Sequence, residues 1–298
     1  MKILYIGKFD NENKSTNNSQ FRELSLLEHD VVQYNYPIIE QEAGTSKCID
    51  SLLEKVKNDA YDLVLISKGS MPNSVVVEMK KYSCVGLWYM DPLVSTSFSQ
   101  EVQDRAALCN FVCCDKLNVL EECLKLNKNS YHVCEGFDAE VDKPFDFEHE
   151  VDLSFIGDIY GNRLEVLQAC GHQVAVVQGA YGVHHSQVVA KSRINLNIVT
   201  AGGASDRVYK IMAAGGFLLS DDWVGREDMF VDGEDLVIFK DYDDLARKIK
   251  YFLDNPKERE RIANAGHNTV QQYNRHEWAK GIISAYWSWR QQEKGMVK

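Results

Sequence analysis

The chain has 298 residues, 45% of them hydrophobic, which is enough for one large domain or two of ordinary size; short apolar clusters between charged stretches favour two. No run approaches the roughly 20 apolar residues that span a bilayer, and Met1 to Gly7 meets polar residues too soon for a signal peptide, so a cytoplasmic protein without a membrane span is expected. A formal net charge of −11 sets the molecule as a whole against polyanions, so a nucleic-acid partner would need a local basic groove.

In chain order, short β-rich runs alternate with helix-like segments, the pattern of parallel strands joined by crossover helices. Strands are predicted at Lys2 to Gly7, Val31 to Asn35, Asp62 to Ser67, Val85 to Met90, Phe111 to Cys114 and Ser130 to Val133. Helices are predicted between them at Asn18 to Leu27, Cys48 to Asn58, Asn73 to Lys81 and Lys116 to Leu126, where apolar residues recur at three- and four-residue spacing. An acidic, proline-containing stretch ending near Glu150 is read as an interdomain linker. Val151 to Gly157 then repeats the strand-then-glycine form of Lys2 to Gly7. Further strands are expected at Gln173 to Gln178, Ile194 to Ile198, Gly216 to Ser220 and Leu236 to Phe239. Helices follow at Tyr242 to Asp254, Pro256 to Tyr273 and Glu277 to Gln292. Trp278, Ile282, Ile283, Tyr286, Trp287 and Trp289 make the last one apolar enough to cover another surface.

Eight cysteines sit mostly in apolar segments, as buried thiols do in a reducing compartment. Cys109, Cys113 and Cys114 lack a second CxxC or HxxxH partner, so no structural zinc is expected. The loop Gly7-Lys8-Phe9-Asp10 lacks GxGxxG, which argues against a dinucleotide cofactor in the first half.

In open parallel sheets, ligands bind beyond the carboxyl ends of the strands. The richest such segment runs from Asn195 to Phe217. A strand leads into the glycine-containing loop Ala201 to Ala204, then into a helix opening with Ser205 and Asp206. Arg207 lies in its first turn, with Lys210 on the same side. Two cations beside a helix N-terminus suit a diphosphate.

The stretch from Asp152 to about Trp278 resembles the glycosyltransferase family that includes the CgeB-like proteins (glycosyl transferases group 1). Four motifs carry the resemblance: Asp152 to Gly157 followed by Tyr160 and Arg163; Ala190 to Asn197; the Ser205-to-Gly216 helix; and Tyr251-Phe252-Leu253 through Glu258-Arg259, Ile262-Ala263 and Gly266. Trp88 to Pro92 adds a weaker likeness in the first half. The resemblance implies an α/β GT-B fold of two Rossmann-like domains facing a cleft. These would be an acceptor domain over 1–145 and a donor domain over 146–275, with a helix over 276–298 crossing back to the first. It implies that Gly157, Arg163, Gly203, Ala204, Ser205 and Arg207 hold the diphosphate, and that Gly179, Tyr181 and Lys210 meet the nucleoside. At 210 many relatives carry Glu; lysine can only donate hydrogen bonds. It implies sugar transfer from a nucleotide-sugar, a UDP-linked one being the expected donor, with no cofactor and no bound metal.

For the acceptor side Asp91, at the end of a strand, is the first candidate base and Asp10 the second. His184-His185 is read as a surface pair, and Asp221-Asp222 and Asp243-Asp244 as turn and helix-start residues. A nucleotide-sugar epimerase and a non-catalytic nucleotide-sugar-binding protein are the competing readings. The acceptor, whether saccharide, protein, metabolite or modified DNA base, is unresolved, with DNA disfavoured by the net charge.

Overall fold

In the computed structural model, which describes residues 1–11, 14–68 and 71–296, the chain divides into two units. The first takes Met1–Glu135 and the chain from Arg275 onward; the second takes Gly136–Asn274.

The first unit runs β1 (Lys2–Gly7), α1 (Thr16–Leu26), β2 (Asp30–Asn35), α2 (Tyr36–Ala43), α3 (Thr45–Asp59), β3 (Leu63–Ser67), α4 (Asn73–Met79), β4 (Cys84–Tyr89), α5 (Gln100–Leu108), β5 (Phe111–Cys114), α6 (Leu117–Leu126) and β6 (Ser130–His132). Its six strands form one parallel sheet in the order β2-β1-β3-β4-β5-β6. Because successive side chains alternate across a strand, each inner strand feeds two cores. Leu4, Ile6, Val64 and Ile66 join one, while Ile3, Tyr5, Leu63 and Leu65 join the other.

In this unit α2 and α5 were not predicted. Pro37 at the start of α2 reads as a breaker, yet its missing N–H costs nothing in a first helical turn. In α5 only Arg105 and Ala106 are buried, too few to reveal a period. Arg105 is 1% exposed and donates to the carbonyls of Lys68 (3.2 Å) and Met71 (2.6 Å), so this helix fixes the loop after β3.

The second unit runs β7 (Val151–Ile156), α7 (Arg163–Ala169), β8 (Val174–Val177), α8 (Val183–Ala190), β9 (Ser192–Asn197), α9 (Asp206–Ala213), β10 (Leu218–Ser220), β11 (Val237–Ile238), α10 (Tyr242–Asp254) and α11 (Pro256–Val270). Its sheet is also parallel, in the order β11-β10-β9-β7-β8. The stretch read from sequence as a linker is tied to this unit: Ser186 Oγ donates to Val141 O (3.1 Å) and the Glu150 amide to Lys191 O (2.8 Å).

The last helix, α12 (Arg275–Met296), packs within the first unit. Trp278, Ile282, Tyr286 and Trp289 fill the core under β4 and β5, with the Trp278 and Trp88 rings edge to face at 5.6 Å. Gly281 permits this approach, since a Cβ there would lie 2.8 Å from Val133 Cγ1. A buried Arg275–Glu135 ion pair (3.5 Å) joins the residues at which the chain leaves and re-enters the unit.

In both sheets the first strand lies between its successor on one side and a later strand on the other. The order therefore reverses at β1/β3 and at β7/β9. Helices leave in opposite directions at such a point, opening a crevice at the strand ends.

Candidate functional site

At the β7/β9 reversal lies a cavity of about 130 Å³, lined by Ile156, Gly157 and Asp158 after β7, Gly179 to Tyr181 after β8, His185 of α8, and Asp206, Arg207 and Lys210 of α9. Among the lining residues Arg207 is 9% exposed. Nε donates to Ile156 O at 2.5 Å and Nη1 to Asn197 Oδ1 at 2.9 Å. The Phe155 ring lies below the guanidinium, 4.7 Å from Cζ. Gly157, at φ +141, is what lets the cation in: a Cβ there would sit 2.7 Å from Arg207 Nη2.

Arg163 approaches the same ring from the start of α7, with Cζ 5.5 Å from Phe155 and 3.8 Å from the Tyr160 ring. It is 4% exposed, donates to Asp158 O (2.7 Å) and Thr200 Oγ1 (3.4 Å), and keeps a buried Nε without a partner. Among the described residues neither guanidinium is ion-paired with a carboxylate; Asp206 pairs with Lys210 at 2.5 Å. Burial first, then the like charge of Arg163, brings the Arg207 guanidinium down to about 10, still protonated at neutral pH. Burial also lifts the Asp221 carboxyl to about 6, against the Val199 amide (2.7 Å) and the two arginines. Two desolvated cations held by neutral oxygens make a site that an anion would complete.

Gly157, Gly179, Tyr181, Arg207 and Lys210 therefore meet at one cavity. Arg163 stands behind it on Phe155. Gly203, Ala204 and Ser205 are not in its lining, contrary to the reading of the loop as an amide cradle. The Gly203 amide closes a turn onto Thr200 O (3.2 Å), and Ser205 Oγ donates to Asn197 Oδ1 (3.3 Å) instead of capping α9. His184 and His185 do not form a surface pair either: His184 is exposed and His185 is buried in the cavity wall. Asn197 went unpredicted. Its signal was a buried amide at an inward position of a strand, where an apolar residue is the rule.

At the β1/β3 reversal of the first unit lies a larger cavity of about 410 Å³, lined by Gly7, Lys8, Ser15, Thr16, Asn17, Tyr36, Ser67, Lys68 and Met90 among others. Its floor is neutral. Asn17 Oδ1 accepts from Ser67 Oγ (2.9 Å) and Tyr5 OH (3.0 Å), and Asn17 Nδ2 donates to Lys8 O (3.2 Å). Asp91 is ion-paired with Lys68 at 2.5 Å, and Lys68 has a left-handed backbone at φ 59. Buried Lys116, paired with Asp115, donates to Met90 O (2.6 Å) and so fixes the residue before Asp91. Asp10 has a different employment. Its oxygens accept the amides of Lys14 (3.0 Å) and Ser15 (2.6 Å), which shapes the loop into α1 and does not suit a free base.

These two parallel Rossmann-like units make up a GT-B fold. The Anabaena protein HepE, solved with UDP-glucose, superimposes with a TM-score of 0.68 at 13% identity, over 97% of this chain and 100% of that one. Sucrose-phosphate synthase of Thermosynechococcus elongatus gives 0.67 at 10% identity over 99% of each chain, and a putative UDP-N-acetylglucosamine 2-epimerase of Listeria monocytogenes 0.61 at 13% over 98% and 97%. Residues 149–282 match the family described as glycosyl transferase-like. A comparison with curated proteins finds no match.

Proposed function

We propose that the chain transfers a sugar from a nucleoside-diphosphate sugar, held by its second unit, to a hydroxyl of an acceptor. The observation that carries this is Arg207: a buried guanidinium, oriented by Ile156 O and Asn197 Oδ1, at the edge of a cavity whose other walls carry a glycine, a lysine and an aromatic ring. When the bond to the sugar breaks, negative charge grows on the departing diphosphate. Arg207 is already desolvated and fixed there, with Arg163 beside it, so it stabilises that charge with little reorganisation. Two such cations supply what a divalent ion would, which supports a metal-independent reaction. The glycosyl transferase-like match over 149–282 supports the same reading.

Gly179 and Tyr181 flank the base in this reading, and Lys210 lies towards the ribose. UDP is the expected nucleotide, supported by the UDP-glucose in the HepE structure. Asp91 serves as the base towards the acceptor hydroxyl, with Lys68 fixing its carboxylate. The four sequence motifs support a CgeB-like affiliation, and eight free thiols suit a cytoplasmic setting.

Thermal unfolding with UDP, UDP-glucose and the other nucleoside diphosphates tests this. A donor at about 100 times its Kd adds roughly 2.7 kcal/mol of stability. No stabilisation by any of them would remove the reading. Isomerisation of UDP-N-acetylglucosamine without acceptor would replace it with an epimerase, and binding without turnover with a non-catalytic protein.

A further inference from the structure

One polar side chain in the donor cavity has no role in the account above. His185 stands in the first turn of α8 and is 5% exposed, and its Nδ1 is fully buried without a hydrogen-bond partner. The titratable and charged groups around it are His184 on its own helix and Asp206, Arg207 and Lys210 on α9. Asp206 and Lys210 are paired with each other, and Arg207 is directed to Ile156 and Asn197. Buried ring nitrogens are nearly always satisfied, so an unsatisfied one in a cavity wall points to a group that arrives with the ligand.

We infer that His185 is a donor-binding residue whose imidazole hydrogen-bonds a ribose hydroxyl of the nucleotide-sugar. This rests on the donor site proposed above. Ribose lies covalently between base and diphosphate, and His185 lines the same cavity as the proposed base-flanking residues Gly179 to Tyr181 and the proposed diphosphate ligand Arg207. Burial, then the positive Lys210, holds the ring neutral, its pKa down at about 3. A neutral imidazole has one donor and one acceptor nitrogen, which matches a hydroxyl, itself both donor and acceptor; a phosphate oxygen only accepts and is matched by Arg207. Lys210 can only donate, so the imidazole supplies an acceptor that position 210 cannot.

Calorimetry on the full chain decides it, using UDP, 2′-deoxy-UDP, 3′-deoxy-UDP and UDP-glucose against wild type and His185→Ala. The expected result is a loss of about tenfold in UDP affinity on His185→Ala, the size of one hydrogen bond. A similar loss is expected for wild type with one deoxy analogue, and no further loss when both changes are combined. Imidazole ¹⁵N spectra of the wild type add a readout independent of any variant: the His185 Nδ1 signal should move on UDP saturation. Unchanged UDP affinity in His185→Ala, additive losses, or a still Nδ1 signal would overturn the His185 assignment alone. Loss confined to UDP-glucose would assign the ring to the transferred sugar and overturn the ribose contact. Wild type that binds none of the four would overturn this inference together with the donor site.

Discussion

Each unit opens with a strand ending at a glycine, and each glycine clears space for a side chain arriving from a helix. At Gly7 the visitor is Asn17, whose Nδ2 would lie 2.3 Å from an added Cβ; at Gly157 it is Arg207, at 2.7 Å. The same topology thus opens a crevice at the same place twice, but the visitor decides its chemistry. Asn17 knits a neutral floor with Tyr5 and Ser67 and leaves Lys8 and Lys68 near solvent. Arg207 brings a desolvated charge. Backbone geometry fixes where a ligand can sit, and one side chain fixes what charge it must carry.

The sharpest way to break that contrast is Arg207→Ala, which should lower kcat/KM for sugar transfer about 10³-fold, the scale of losing a preorganised transition-state donor. Arg207→Lys should not restore it, because an ammonium cannot reach both Ile156 O and Asn197 Oδ1 in the geometry of the fork. Steady-state kinetics with a UDP-sugar checks both. Asp91→Asn should lower kcat about 10²-fold while leaving calorimetric UDP affinity unchanged, since it removes a base and no donor contact. A parallel loss of UDP affinity would count against that role. Gly157→Ala should weaken UDP binding about tenfold and cost about 1–2 kcal/mol of stability in urea unfolding, because the methyl group displaces the guanidinium and φ +141 disfavours any side chain.

A smaller effect is expected in acid. His185 has a folded pKa below its unfolded one, so between about pH 6.5 and 3 the unfolded chain takes up a proton that the native one refuses. Stability therefore falls as pH drops through that window, by at most about 1.4 kcal/mol per pH unit from this group. His185→Ala should flatten that part of the urea-unfolding profile between pH 4 and 6. Smallest of all is the expected effect of EDTA. Transfer rates should be unchanged, and restoration by added Mg²⁺ or Mn²⁺ would overturn the metal-independent reading.

Much of the fold was legible because its signals are local. The runs Leu63 to Ser67 and Phe111 to Cys114 are buried on both faces, so they read as continuous apolar segments with little ambiguity. α2 and α5 were not, one opening on Pro37 and the other with only Arg105 and Ala106 buried, and neither were α7 and α8. Of the residues that line the cavity of the second unit, Arg207 and Lys210 were singled out from a loop-to-helix pattern, and Gly157 and Gly179 from their positions after strands. Not legible was that the Gly203 amide closes a turn onto Thr200 O and that Gly203, Ala204 and Ser205 stand outside the lining of that cavity, because this depends on how Thr200 and Gly203 approach one another.

Sequence by itself determined the alternating α/β architecture, the repeat of a strand ending in glycine, and the cations of α9, since periodicity and loop chemistry act over a few residues. Tertiary structure decided the partners: Asn197 and Ile156 orienting Arg207, Phe155 beneath two guanidiniums, His185 buried while His184 is not, and Asp10 spent on two amides while Asp91 meets Lys68. Those outcomes depend on burial and on side chains far apart in the chain. Only the folded sheet with its helices packed on it brings such groups within hydrogen-bond reach and strips the water from between them.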